Sequence, residues 1–155
     1  MSPRILVTGS RDWTDERTIN EALAEAWHAL GSRADTVLVQ GECHLGGADG
    51  IAKRTWESRG LPVEGHPAEF GPDGHVLGPK RNKHMVDLGA DLCLAFPLAS
   101  SRGTRNCMRL AREAGIPVHI YEPRRPSVDE LLGIAPDWTC GLSVDEYMSE
   151  IRDPA

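Results

Sequence analysis

Guanidinium groups, hydroxyls and uncovered backbone are distributed over four short glycine-bearing turns of this chain. These are Gly9-Ser10-Arg11, Gly46-Gly47-Ala48-Asp49, Gly78-Pro79-Lys80-Arg81-Asn82 and Arg102-Gly103-Thr104. An arginine binds two phosphate oxygens through its planar fork, and a serine or threonine adds a hydroxyl donor. Glycine lets a ligand approach the main chain, and a helix N-terminus favours an anion. The chemistry these residue types share is the holding of a phosphate-bearing small molecule.

Each turn has a second, purely structural use. Gly9 can simply bend the chain, Asp49 and Thr104 can cap the helices that follow, and Arg81 with Lys80, Asn82 and Lys83 can be a solvated charge run. Cations in a first helical turn oppose the macrodipole, which an anion in the same place would offset. Asp49 or Asp12 can accept ribose hydroxyls, as acidic residues do in dinucleotide folds, and Trp13 can stack on a base or lie in the core. The candidate ligand residues are therefore Gly9, Ser10, Arg11, Gly46, Gly47, Asp49, Arg81, Asn82, Gly103 and Thr104. No catalytic residue stands out. Neither GxGxxG nor GxxxxGK[ST] is present, so no nicotinamide or P-loop nucleotide cofactor is expected.

The elements that must position these turns alternate regularly. Apolar runs at 4–8, 36–40, 61–66, 90–96 and 117–121 read as buried strands. Between them lie helical patterns. The first is capped by Asp15 and shows an apolar face of Ile19, Ala22, Leu23, Ala26, Trp27 and Leu30. The others are expected at 49–59, 79–88 and 104–114, with Pro79 suiting a first turn. This alternation predicts an α/β fold, a doubly wound, mostly parallel, five-stranded sheet with right-handed crossovers. In such a sheet the turns gather along one edge. The Pro/Gly-rich stretch 67–78 has no period and is a candidate lid or binding loop.

Composition narrows the function classes. The 155 residues are 40% hydrophobic and 26% charged, an ordinary soluble balance. No apolar run reaches membrane-helix length, and the start does not read as a signal peptide, so a cytoplasmic location is expected. The net charge of −6 is concentrated in residues 122–155, which carry −5. A nearly neutral body disfavours an extended nucleic-acid surface. Cys43, Cys93, Cys107 and Cys140 show no CxxC pairing, and Cys43-His44 with His75 or His84 has no metal-ligand spacing, so no metal is expected.

Capping-box patterns at Ser127–Glu130 and Ser143–Glu146, with Leu131, Leu132, Ile134 and Trp138 nearby, predict a short helical C-terminal tail. The chain then divides into a ligand-binding domain at 1–121 and a helical extension at 122–155, packed on that domain or on a partner subunit.

Taken in order, Ile5-Leu6-Val7-Thr8-Gly9-Ser10-Arg11-Asp12, Gly46-Gly47-Ala48-Asp49, Gly78 through Met85 and Gly103-Thr104 resemble the SLOG superfamily. This Rossmann-like group contains the LOG phosphoribohydrolases and the DprA/Smf proteins, and the resemblance is strongest to its YspA-like branch. It spans residues 4 to about 121. It implies recognition of a nucleotide or nucleotide-derived compound, in a homodimer or higher homo-oligomer, by a sensor or binding protein. In LOG-type enzymes an arginine in an RKxxM-like helix start and a glutamate in GGxGTxxE cleave an N-glycosidic bond. Arg81-Asn82-Lys83-His84-Met85 is similar to the first element, which carries the arginine's role over to Arg81. The second departs from the pattern, with Cys107 where the glutamate should fall, so whether the chain is an enzyme stays open. The alternative is a LOG-like nucleotide-processing enzyme with Glu42, Asp49 or Glu69 supplying the carboxylate from another loop.

Overall fold

In the computed structural model, residues 1–42, 46–99 and 101–125 are described. Met1–Pro123 forms one compact unit. Its strands are β1 (Arg4–Gly9), β2 (Val37–Gln40), β3 (Val63–Gly65), β4 (Leu92–Phe96) and β5 (Val118–Ile120). The helices α1 (Glu16–Ala29), α2 (Gly47–Ser58), α3 (Gly78–Asp87) and α4 (Arg102–Glu113) connect them in turn. All five strands are parallel, in the order β3-β2-β1-β4-β5. The sheet is thus wholly parallel where a mostly parallel one was expected.

The strands are continuous apolar runs because both sheet faces are covered. On one face Ile5, Val7, Leu38, Leu92, Leu94 and Phe96 pack with Ile19, Leu23 and Ala26 of α1 and Ile51, Ala52 and Trp56 of α2. On the other, Leu6, Val39 and Cys93 meet Met85 and Val86 of α3 and Cys107 and Ala111 of α4. Period-two alternation along each strand sorts the side chains between these layers.

Asp15 caps α1 as expected, its carboxylate accepting from the Thr18 N–H at 3.2 Å. Two other expected caps fall elsewhere. The cap position of α2 is Gly46, and Asp49 is the third residue of the helix. That of α4 is Ser101, which leaves Thr104 buried in the first turn. The packing of the preceding loops, described below, starts both helices two residues early. Cys43, His44, Ser100, Cys140 and the predicted tail lie outside the described residues. Among the described residues, no helix is long and apolar enough to cross a membrane.

Candidate functional site

The chain runs outward from β1 through β2 to β3, then returns to the other side of β1 for β4 and β5. The loops leaving β1 and β4 therefore diverge, which opens a crevice beyond the C-terminal ends of these neighbouring strands. A cavity of about 460 Å³ occupies this edge. Gly9, Ser10, Arg11 and Asp12 line it from the β1 loop, with Gly41, Glu42 and Asp49 beside them. Arg81 and Asn82 enter from α3, and Ser101, Arg102, Gly103 and Thr104 from the start of α4.

The sheet edge thus gathers eight of the ten candidate residues. Gly46 and Gly47 are not in the lining. A β-carbon on Gly47 would come within 2.4 Å of the Ser10 carbonyl oxygen and 2.5 Å of Arg11 Cα. The Ala48 N–H donates to that carbonyl at 3.0 Å. The β1 loop itself therefore rests on the first turn of α2. Gly9 serves the same packing, since a β-carbon there would lie 2.3 Å from that of Ala48.

Polar groups at the cavity divide into those already engaged and those open. The Ser10 N–H donates to Phe96 O at 3.0 Å, and its hydroxyl accepts from the Asp12 N–H at 3.1 Å. Asn82 is buried; its amide donates to Gly103 O at 3.1 Å and Asn106 Oδ1 at 3.2 Å, and its carbonyl accepts from Arg81 Nε at 3.0 Å. Asn82 ties the starts of α3 and α4 together. Arg81 is half-buried and donates through Nη1 to the carbonyls of Gly41 and, at 3.1 Å, His66. These bonds set aside the alternative in which Arg81 belongs to a solvated charge run.

Arg11 and Arg102 differ from it. Both are exposed on the cavity rim, and among the described residues neither forms an ion pair. Gly103 and Thr104 present first-turn amides of α4, which find no acceptor among the described residues. Lys80 and Lys83 are exposed and face Glu69 at 3.9 Å and Asp87 at 2.8 Å. Two open guanidinium groups, one anchored guanidinium and a helix N-terminus thus line one cavity.

The sequence model of the YspA, cpYpsA-related SLOG family matches residues 3–71. "Gene 61 protein" of Mycobacterium phage D29 is 47% identical over 120 residues, covering 74% of this chain and 93% of that protein. The chain belongs to the YspA, cpYpsA-related SLOG family. Among solved structures, DNA processing protein A (DprA) from Streptococcus pneumoniae shares the fold with a TM-score of 0.58 at 17% identity. The match covers 99% of this chain but only 57% of that protein's length.

Within this SLOG domain, the residue at the LOG glutamate position is set apart from the cavity. Cys107 is fully buried and not in the lining. Burial pushes its thiol up to about 11, a bond with Thr8 opposes this, and the charge of Asp49 adds to it. Of the substitute carboxylates, Glu42 and Asp49 line the cavity and Glu69 does not. Glu42 holds a left-handed backbone, φ 47°, that few residues other than glycine adopt. Its side chain lies over Gly65, and its carboxylate faces Lys53 Nζ at 3.6 Å.

Trp13 is not a base platform. Its ring is buried edge-on against Phe96, with centroids 5.3 Å apart, and its Nε1 donates to Asp15 O at 2.9 Å. Conversely, the cavity includes Gly41, Arg102, Phe70 and Val76, none of which stood among the ligand candidates. The glycine directly after the second apolar run was a signal for Gly41. For Phe70 the signal was a lone aromatic in a Pro/Gly-rich stretch.

Proposed function

We propose that this SLOG domain binds a phosphorylated, nucleotide-derived small molecule at the C-terminal edge of its sheet, as a sensor or binding protein. Arg11 and Arg102 pair with phosphate oxygens, and the Gly103 and Thr104 amides donate to them. Arg81 adds a fixed positive charge, and Asp12 or Asp49 accepts ribose hydroxyls. The observation that carries the reading is convergence: residues far apart in the sequence, on three different loops, line one cavity. Membership in the SLOG family is consistent with a nucleotide-related binding domain.

The experiment is a thermal-shift panel of nucleoside monophosphates, ADP-ribose and its cyclic forms, and cyclic nucleotides. A true ligand raises the melting temperature in proportion to the logarithm of its concentration. The double substitution Arg11→Ala and Arg102→Ala removes that rise without lowering the unliganded melting temperature. If no phosphorylated compound in the panel stabilises the protein, the proposal fails.

A second reading, nucleotide hydrolysis, is favoured by one observation, the presence of the Glu42 and Asp49 carboxylates in the same cavity. Free base released from a nucleoside monophosphate, and lost on Glu42→Gln, would select it over binding alone.

A further inference from the structure

The loop between β3 and α3 ends in a small pinned turn. Phe70 and Val76 form an antiparallel bridge, the Leu77 N–H donates to Glu69 O at 2.7 Å, and the Gly71 N–H donates to His75 O at 2.8 Å. The Gly74 N–H closes the tip onto Gly71 O at 2.9 Å, with Gly74 at φ 80°. Residues paired across such a bridge direct their side chains to the same face, so Phe70 and Val76 make one apolar surface.

That surface is open. Phe70 is 71% exposed and Val76 46%. Every other described aromatic residue is buried or half-buried: Trp13, Trp56 and Phe96 in the core, Trp27 and Tyr121 at its margin. Burial drives a phenyl ring inward, yet this backbone holds one outward. It also holds it in the wall of the cavity that Arg11, Arg81 and Arg102 line.

We propose that Phe70, with Val76, forms the wall on which the planar base of the ligand stacks, so that this site discriminates a nucleoside phosphate from a bare sugar phosphate. The proposal rests on the phosphate reading above and assigns the other end of the same ligand. A molecule occupying both ends of the cavity needs a charged group for the arginines and a flat, weakly polar face for the ring. A volume of about 460 Å³ is ample for one nucleotide. Stacking on an aromatic ring tolerates any base, because every base has a π-face. The wall therefore selects for the presence of a base, and its preference among bases is weak.

The test is calorimetric titration of the full chain with AMP, GMP, CMP, UMP and ribose 5-phosphate, alongside size-exclusion chromatography. Wild-type protein is expected to bind at least one nucleotide about tenfold more tightly than ribose 5-phosphate. Phe70→Ala should erase that ratio and leave the ribose 5-phosphate affinity within about twofold, whereas Phe70→Trp should keep the ratio. Because the ring is exposed, neither change should lower the unliganded melting temperature. Equal binding of ribose 5-phosphate and all four nucleotides by the wild type would overturn the base wall and leave the phosphate reading standing. So would a nucleotide preference that survives Phe70→Ala, or a parallel loss of both ligand types. A change of oligomeric state on Phe70→Ala would mark the surface as a subunit contact and overturn it too. If none of the five compounds binds, the base wall is overturned, while the phosphate reading stands or falls with the wider thermal-shift panel.

Discussion

The guanidinium of Arg81 lies directly against the α-carbon of Gly41, so close that a β-carbon at position 41 would come within 2.2 Å of Nη1. The same nitrogen donates to the carbonyls of Gly41 and His66, one beyond β2 and one beyond β3. Arg81 thereby fastens two loops of the cavity to α3 while remaining in its lining. Arg81→Ala leaves those carbonyls short of a donor and is expected to cost about 1–3 kcal/mol of stability. Urea denaturation should show the loss as a lower midpoint at unchanged slope. An unchanged midpoint would mean that the guanidinium serves the ligand alone. Gly41→Ala should mimic the defect, because the added methyl pushes the guanidinium off its two acceptors.

Gly9 and Ala48 form a second contact with no spare room, a β-carbon at position 9 falling 2.3 Å from that of Ala48. Overpacking of this kind typically costs about 1–3 kcal/mol. Gly9→Ala is expected to destabilise the protein by that order, and Gly9→Val by more. Since the closest clash is with Ala48, ahead of the Phe96 β-carbon at 3.0 Å, Ala48→Gly in the Gly9→Ala background should restore part of the loss. Independent, additive costs in chemical denaturation would show that Phe96 or the backbone of the turn, and not Ala48, sets the requirement for glycine.

These two contacts show where sequence reasoning stops. The position of the β1 loop at the sheet edge was legible, because an apolar run ending in Gly9 and followed by a capped helix can only be a strand-turn-helix unit. Helix α1 was legible to its cap, with Asp15 and the buried face of Ile19, Ala22, Leu23 and Ala26 as read. That Gly9 and Gly47 face Ala48 and the Ser10 carbonyl depends on distances between segments remote in sequence. No local pattern carries those distances. The same holds for Trp13, whose partner Phe96 is 83 positions away in a different strand. The starts of α2 and α4 were missed for a related reason. Asp49 and Thr104 are good capping residues, but at α2 a carbonyl of the β1 loop meets the Ala48 N–H. At α4 the Ser101 hydroxyl turns back to accept from the Leu98 N–H at 2.9 Å.

At the far end of β1, Arg4 reaches past β2 to Glu64 in β3, both Nη atoms bonding the carboxylate at 2.8 and 2.9 Å. His66 Nε2 lies 2.6 Å from the same carboxylate. The Arg4 bonds, then those of His66, hold the Glu64 carboxyl down from its ordinary 4.5 to about 2. A group depressed in the folded state stabilises the fold above its unfolded value and loses that contribution as pH falls toward the folded one. The stability gap between wild type and Glu64→Gln should therefore be widest above about pH 4.5 and close toward about pH 2. Urea midpoints at a series of pH values check this. A gap independent of pH would assign the role of Glu64 to packing.

Cys107 decides whether the LOG chemistry could be restored by one substitution. The thiol is fully buried in α4, beyond the cavity lining, with Thr8 bonded to it and the charge of Asp49 acting on it. A carboxylate placed there would be desolvated and would meet the like charge of Asp49, and the Arg81 charge, the weakest influence on the thiol, would offset only part of this. Burying an unpaired charge costs about 3–5 kcal/mol. Cys107→Glu is therefore expected to lower the melting temperature sharply and to release no free base from AMP. In the native protein the thiol, pushed up to about 11, should react with a disulfide reagent only as fast as the fold opens. A Cys107→Glu variant that keeps its stability and releases adenine would instead place position 107 within reach of the ligand.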